Sequence, residues 1–286
     1  MPTELQSLSD AIASVVAAAS PRLVAISGAD GSVASGLIWR TGLVVSAHEA
    51  LGGEEEFTVT FAGGETAKAE AAGRDPSTDV ALLRVSTAQF ADWPQAPTPA
   101  VGSLAVIAGR GEYSATAGIA TVSEIGPAWR SMRGGLIDAR IKLGTILSTR
   151  TEGGAVLSPD GGLIGMAVTG PRHRALAIPA STVARAVDTL AAKGYVPRGY
   201  LGATLHPVAG NGGALIVGLE PDGPAQRAGL LLGDIITTWG GDAVETVSAV
   251  SHRLSAESVG TTIKLGVLRG GSPVSIDVTV GERPRA

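Results

Sequence analysis

The spacing of apolar residues along the chain changes twice. From Thr3 to Ala19, Leu5, Leu8, Ile12, Val15 and Val16 recur at intervals of three and four, the signature of one helical face. Thr3-Glu4-Leu5-Gln6 reads as a capping box that opens this helix, and Ser20-Pro21 ends it. From Leu23 the period drops to two, and short Val, Ile and Leu runs are divided by Gly, Pro and Asp. This predicts strands near 22–27, 33–40, 42–46, 57–61, 67–73 and 80–85. Six more are expected near 103–109, 115–123, 135–141, 154–157, 162–169 and 174–178. Turns at this spacing argue for an antiparallel barrel or sandwich rather than βαβ units. A helix then follows through Val183, Ala186, Val187 and Leu190, with Ser181 as its expected N-cap and Lys193-Gly194 closing it.

The second change comes after Val196-Pro197-Arg198-Gly199, which reads as a linker. Tyr200 to Val208 and Ala214 to Leu219 are strand-like. Pro221-Asp222-Gly223-Pro224 is a turn into a short helix ended by Gly229. Asp234 to Trp239 is a further strand. Val247, Val250 and Leu254 mark one face of a helix of about three turns. Ile263, Leu265 and Val267 alternate, as do Val274, Ile276, Val278 and Val280, across an Arg269-Gly270-Gly271-Ser272 hairpin. The segments are therefore read as an N-terminal helix over 1–20, a β-rich domain over 21–195 and a smaller domain over 199–286.

Composition narrows the picture. Apolar residues make up 44% of the 286 positions but aromatics only 3%, so the core must be aliphatic. The 40 glycines are about twice the usual ~7% share, in keeping with many tight turns. A net charge of -4 with no long basic run lacks the electrostatic footprint of a nucleic-acid binder. The absence of cysteine excludes disulfides, thiol catalysis and zinc-thiolate sites. No stretch of about 18 apolar residues calls for a membrane span. No basic segment followed by an apolar core marks a signal peptide, so the chain as written is expected to be cytoplasmic. No glycine-rich stretch has the setting of a nucleotide site, and no cofactor is expected.

Candidate chemistry lies in three segments. His48 ends the apolar run Gly42-Leu43-Val44-Val45-Ser46-Ala47, and Asp79 precedes Val80-Ala81-Leu82-Leu83-Arg84-Val85. Thr149-Arg150-Thr151-Glu152-Gly153-Gly154-Ala155-Val156 has the shape of a nucleophile loop, with Glu152 at the nucleophile position. Ser-His-Asp chemistry needs a base beside the nucleophile, a carboxylate to orient the base, and backbone N–H groups aimed at the oxyanion.

With these segments in place, the chain resembles the HtrA (DegP-like) family, trypsin-like serine proteases with a C-terminal PDZ domain. The resemblance covers nearly the whole chain. It runs through Ser35-Gly36-Leu37-Ile38-Trp39, the His48 and Asp79 segments, Val101-Gly102-Ser103-Leu104 and Thr116-Ala117-Gly118-Ile119-Ala120. It continues through Gly153-Gly154-Ala155-Val156 and Ala177-Ile178-Pro179 to Arg198-Gly199-Tyr200-Leu201-Gly202. It implies an all-β-dominated fold: a double β-barrel followed by a PDZ domain, with an N-terminal helix.

Position by position, the resemblance matches His48 to the family's base and Asp79 to its orienting carboxylate. The family's Gly-Asn-Ser-Gly-Gly-Pro falls on Arg150 to Ala155. Glu152 thus replaces the serine, and Arg150 replaces a glycine that helps form the oxyanion hole, with Thr151 and Gly153 beside them. An inactive relative is the expectation, against the alternative of a serine endopeptidase with a non-standard nucleophile or one complemented in a mixed oligomer. His48 and Asp79 are either a retained hydrogen-bonded pair or a working base and orienter. Glu152 is either a solvated acid, an ion-pair partner of His48, or one ligand of a metal site with His48 and Asp79. Thr151, Ser148 and Ser46 are the candidate replacement nucleophiles.

In the PDZ-like part, the resemblance gives Tyr200, Leu201, Gly202 and Ala203 as a carboxylate-binding loop, with a groove beside the helix of Val247, Val250 and Leu254. The partners it implies are C-terminal or extended peptides, with the groove unused as the alternative. It also implies homo- or hetero-oligomers of HtrA-like subunits. The first aromatic residue is Trp39, so the family's N-terminal aromatic assembly is not expected. The family's compartment is often the periplasm or cell envelope, the expectation for this chain if an export signal has been removed.

Overall fold

The structure is a computed structural model that describes residues 3–86, 92–131, 133–208 and 212–284. The chain divides into two compact units, Met1–Val196 and Pro197–Ala286.

The first unit opens with α1 (Glu4–Ala19), whose N-cap Thr3 accepts the Gln6 N–H. Six strands follow: β1 (Leu23–Ser27), β2 (Val33–Arg40), β3 (Leu43–Ala47), β4 (Glu56–Thr60), β5 (Thr66–Asp75) and β6 (Val80–Val85). They form a closed antiparallel barrel in the order β1-β2-β3-β6-β5-β4. Next come β7 (Leu104–Arg110) and β8 (Ala115–Gly126), then the short pair β9 (Trp129–Arg130) and β10 (Leu136–Ile137). β11 (Arg140–Leu143), β12 (Ala155–Leu157), β13 (Leu163–Gly170) and β14 (Arg174–Pro179) complete a second closed barrel, β11-β14-β13-β12-β7-β8. α2 (Ala180–Lys193) ends at Gly194, which takes the left-handed conformation of a helix C-cap.

The continuous apolar runs have a structural cause, because both faces of these strands are buried. Val24, Ile26, Val44, Val59 and Leu83 fill the first barrel. Ile107, Val122, Ile141, Val156 and Ala177 fill the second. Their strand neighbours Leu23, Val45, Leu82, Val106, Leu157, Met166 and Ile178 meet in a seam between the barrels, which Val183, Val187 and Leu190 of α2 also enter. Alternate residues of one strand therefore serve two cores. Leu82 and Leu157 are fully buried, and truncating either to alanine costs about 2–5 kcal/mol.

Local expectations needed correction in three places here. The strand expected over 135–141 is two short ones. Asp138 interrupts it, its carboxylate accepting from Ser181 Oγ at 2.5 Å and pairing with Arg185 at 2.8 Å. That contact also removes Ser181 from its expected N-cap role, and the N-cap lies two residues earlier, at Pro179. On α1, Ile12, Val15 and Val16 pack on the seam, whereas Leu5 and Leu8 are exposed.

The second unit holds β15 (Gly199–Tyr200), β16 (Ala203–Pro207), β17 (Ala214–Leu219), α3 (Pro224–Arg227), β18 (Ile235–Trp239) and β19 (Asp242–Ala243). α4 (Val247–Arg253), β20 (Thr262–Arg269), β21 (Ser272–Thr279) and β22 (Gly281–Glu282) follow. The sheet is open, in the order β16-β17-β18-β20-β21, with β16 and β21 at its edges. Leu201, Ile216, Leu230, Ile236, Val250, Leu265 and Val278 form its core. Buried Asp234 ties the sheet end together through a two-pronged ion pair with Arg269, at 2.9 and 2.7 Å. The single strand expected over 200–208 is broken at Gly202, whose φ of +70° turns the chain before β16.

Candidate functional site

The first barrel presents His48 and Asp79 at neighbouring strand ends. β3 runs antiparallel to β6, so the loop after Ala47 meets the turn before Val80. The His48 N–H donates to the Asp79 carbonyl at 3.2 Å. The turn is held by buried Asp75, whose carboxylate accepts from the Ser77 N–H at 2.9 Å and the Thr78 hydroxyl at 2.6 Å. It forces Asp79 to a φ of +59°, an uncommon value for a non-glycine residue.

This backbone contact is not the side-chain pairing expected from the sequence. The hydrogen bond that the Asp79 carboxylate accepts comes from the Glu49 N–H, at 2.8 Å from Oδ1. The group at His48 Nδ1 is instead the Arg74 guanidinium, with Nη1 at 3.5 Å. The side-chain form of the expected His48–Asp79 pair is therefore corrected. Burial pushes the Asp79 carboxyl up to about 7, aided by the nearby Glu49 and Glu152 carboxylates. Burial also lowers the His48 imidazole, and the positive charges of Arg74 and Arg133 add to the effect.

Glu152 belongs to the second barrel and follows a tight 3-10 turn, Thr149–Thr151, capped by Ser148. Its carbonyl accepts the Ser35 N–H at 3.0 Å, and its carboxylate Oε1 accepts the Thr169 N–H at 3.1 Å. That second bond replaces the ion pair with His48 considered from the sequence. The Gly153 N–H donates to Ala167 O, and the Ala167 N–H to Gly154 O, both at 2.8 Å. Thr169 lies two residues further along β13, so its N–H leaves by the same edge as that of Ala167. The Glu152 carboxylate thus covers the next open N–H of β13. Among the described residues no group of three His, Asp or Glu side chains could hold a metal ion, which removes the metal reading.

The amides of the 3-10 turn bond back to its cap. The Thr151 N–H donates to Ser148 O at 2.9 Å, and the Arg150 N–H lies 3.4 Å from Ser148 Oγ. The Arg150 carbonyl accepts from Ser35 Oγ at 2.6 Å. Gly153, at φ +80°, packs so closely on Ser35 O and Ser46 Oγ that a side chain there would collide with both. Of the replacement nucleophiles, Ser46 is fully buried and donates to Ser35 O at 2.7 Å. Thr151 Oγ1 donates to Ser148 O at 2.8 Å, and Ser148 Oγ is the acceptor of the Arg150 N–H. None of the three hydroxyls hydrogen-bonds His48 among the described residues.

The second unit carries the other candidate site. Gly202 O accepts the Glu220 N–H at 2.8 Å and Leu201 O accepts the Ala225 N–H at 2.7 Å, so both carbonyls are fixed toward the body of the unit. Among the described residues nothing accepts the N–H of Leu201 or Gly202. Ala203 pairs with Leu219 next to the Glu220-to-Gly202 bond, which makes it a non-hydrogen-bonded pair with its N–H and C=O facing away from β17. α4 packs near β16, which is an edge strand. Val247 and Leu254 are half-buried, with Leu254 forming the C-cap. Val250 is fully buried, so it supports the groove from within the core instead of lining it, a correction to its expected role. The Leu201 side chain is buried too, leaving its backbone as what it offers a ligand. The Tyr200 hydroxyl bonds to Glu220, which raises its pKa.

The PDZ domain family matches residues 199–280. The trypsin-like peptidase domain family matches residues 34–166. The chain carries a trypsin-like peptidase domain followed by a PDZ domain, and in that order of domains it is similar to HtrA-type and DegP-like proteases. A probable periplasmic serine endoprotease, DegP-like, of Halomonas elongata is 31% identical over 281 residues, covering 88% of the chain and 57% of the relative. One of the same description from Brucella suis is 27% identical over 276 residues, covering 87% of the chain and 52% of the relative. The HtrA-like chain therefore spans a little over half the length of these curated relatives. In fold it matches the crystal structure of the serine endoprotease from Yersinia pestis with a TM-score of 0.78 at 24% identity, over 99% of this chain and all of the other. The HtrA-type protease AlgW with decapeptide matches with a TM-score of 0.77 at 21% identity, over 96% and 99% of the two chains.

In the HtrA-like chain, sequence reading missed Arg74, Ser35 and Thr169. Arg74 stands directly before Asp75-Pro76 with no pattern that marks it. Ser35 and Thr169 act through hydrogen bonds that only the barrel closure brings about.

Proposed function

We propose that the chain is a proteolytically inactive HtrA-like protein that holds peptides or partner proteins in its PDZ groove. Its role is then that of a scaffold, regulator or chaperone-like module in protein quality control. The observation that carries this reading is the engagement of Glu152, at the position matched to the family's serine, with the Thr169 N–H. A carboxylate there supplies no hydroxyl to acylate, and the Ser46 and Thr151 hydroxyls are committed to backbone carbonyls. The loss compounds at Arg150, whose N–H lies against Ser148 Oγ. Losing one oxyanion donor costs about 10²–10³ in rate.

The groove supports the binding half of the reading. Open N–H groups at Leu201 and Gly202 and an unpaired edge on β16 suit an extended peptide added as a strand, its terminal carboxylate in the loop. The similar AlgW structure holds a decapeptide. The relatives are described as periplasmic, and we carry that compartment over in preference to the cytoplasmic expectation, together with assembly among HtrA-like subunits. Among the described residues no helix is long and apolar enough to cross a membrane.

The rival reading, an endopeptidase with a non-standard nucleophile or a mixed-oligomer site, is favoured by the relatives' description as serine endoproteases. Incubating the full chain with an unfolded protein and a fluorophosphonate probe separates the two. The expected result is neither turnover nor labelling in the native chain, and no robust turnover in Glu152→Ser. Labelling abolished by His48→Ala would sink the proposal. Titration of the full chain with C-terminal peptides tests the groove, with micromolar binding expected.

A further inference from the structure

In a working triad the carboxylate accepts a hydrogen bond from Nδ1–H, which keeps the proton on that nitrogen and leaves the lone pair of Nε2 free to receive the nucleophile's proton. The chain departs from that arrangement at the carboxylate. The Asp79 carboxylate takes the Glu49 N–H, and Arg74 has moved to the Nδ1 side of the ring.

Arg74 is held firmly in that place. It projects from the end of β5, where it pairs with Ala81, and its guanidinium lies 5.9 Å from the centre of the Phe57 ring. Nη1 donates to Gly52 O at 2.7 Å, and Nη2 donates to Glu54 O. Nε lies 3.8 Å from the Glu55 carboxylate. Two backbone carbonyls of one loop thus grip both arms of the fork. Nη1 carries two hydrogens. One goes to Gly52 O, and the other faces His48 Nδ1 at 3.5 Å.

A guanidinium has five donors, no acceptor, and does not deprotonate in proteins. Any hydrogen bond between Arg74 and Nδ1 therefore needs the lone pair of Nδ1. The ring proton must then sit on Nε2. The imidazolium is disfavoured as well, because both of its nitrogens are donors and it would face a like charge.

We propose that Arg74, and not Asp79, is the positioning residue of His48, and that it holds the imidazole as the Nε2–H tautomer. The cleft histidine then offers an N–H donor at the nitrogen where a nucleophile's hydroxyl would need a base. A triad histidine held in the wrong tautomer costs on the order of 10⁴ in rate. Inactivation is thus built in three times: at Glu152, at Arg150 and at the histidine itself. The inference deepens the reading of the cleft as non-hydrolytic and rests on it for its meaning, but it concerns a proton position that can be observed without any turnover.

The test is ¹⁵N-detected imidazole NMR on the full chain at neutral pH, with His48 assigned through His48→Gln. The expected spectrum shows His48 protonated on Nε2 in the native chain and unchanged in Asp79→Asn. In Arg74→Met the Nε2–H preference is lost, a change that a merely structural arginine would not cause, and the His48 titration midpoint moves up as the nearby positive charge is removed. An Nδ1–H tautomer in the native chain, or conversion to a different tautomer by Asp79→Asn, overturns the proposal. If Arg74→Met does not fold, the native chain and Asp79→Asn decide. An Nδ1–H tautomer in a chain that cleaves nothing defeats this inference and leaves the proposed function standing. An Nε2–H tautomer in a chain that cleaves does the reverse.

Discussion

The chain has two loops with backbone N–H groups at a candidate binding site, and they are finished in opposite ways. In the Ser148–Gly154 loop the amides of Thr151, Gly153 and Gly154 donate to backbone carbonyls, that of Arg150 faces a hydroxyl, and a carboxylate covers the adjoining strand edge. In the Tyr200–Ala203 loop the carbonyls are tied down and the amides of Leu201 and Gly202 are left open. A loop amide recognises a ligand only if nothing inside the protein satisfies it first. Four amides of the first loop, those of Arg150, Thr151, Gly153 and Gly154, are engaged by its own chain, whereas both carboxylate-loop amides of the second are still on offer.

The largest test of this contrast is electrostatic. The native fold holds a proton on Asp79 that the unfolded chain has already released, because burial raises the native carboxyl to about 7. Stability should therefore fall as pH rises from about 4 to about 7, by up to on the order of 4 kcal/mol. Asp79→Asn keeps an acceptor for the Glu49 N–H and removes the titration. Urea unfolding at pH 4, 6 and 8 should show a loss in the native chain that is flat in the variant. Parallel curves would mean that the cleft does not strain its own acid.

The next effect is steric. Gly153→Ala places a methyl group at φ +80° against Ser35 O and Ser46 Oγ, and about 3 kcal/mol of destabilisation is expected by chemical unfolding. Gly202→Val, also at positive φ, meets Gly223 Cα at 3.1 Å and Pro224 Cδ at 3.4 Å. There the main loss should be in peptide affinity, about tenfold or more by titration calorimetry, with a stability cost of about 1–2 kcal/mol. If Gly202→Val bound peptide as the native chain does, the open-amide account of the second loop would fail.

Most of the fold was legible because barrel strands buried on both faces write long aliphatic runs, as in Leu43-Val44-Val45 and Val80-Ala81-Leu82-Leu83. Where single side chains set the outcome, reading failed. Asp138 split a strand and took Ser181 from its cap, a partnership across 43 residues that no local pattern announces. The same holds at the cleft. Period and motif pointed to His48 and Asp79, but the approach of Arg74 depends on the loop over Gly52–Glu54 folding back on β5. Val250 was placed on the correct helix face, yet the depth of its burial depends on how closely that helix sits on the sheet.

The edges of the sheets have a consequence for behaviour in concentrated solution. Both barrels of the first unit close on themselves and leave no free strand, whereas the open sheet of the second unit ends at β16 and β21. β21 carries Pro273, and β16 ends at Pro207, both poor templates for strand pairing. Within that sheet the short stretch from Ala203 to His206 is thus the edge best suited to stitch one folded molecule to another. Colloidal stability and ligand occupancy then become the same variable, and a saturating peptide would keep the protein dispersed.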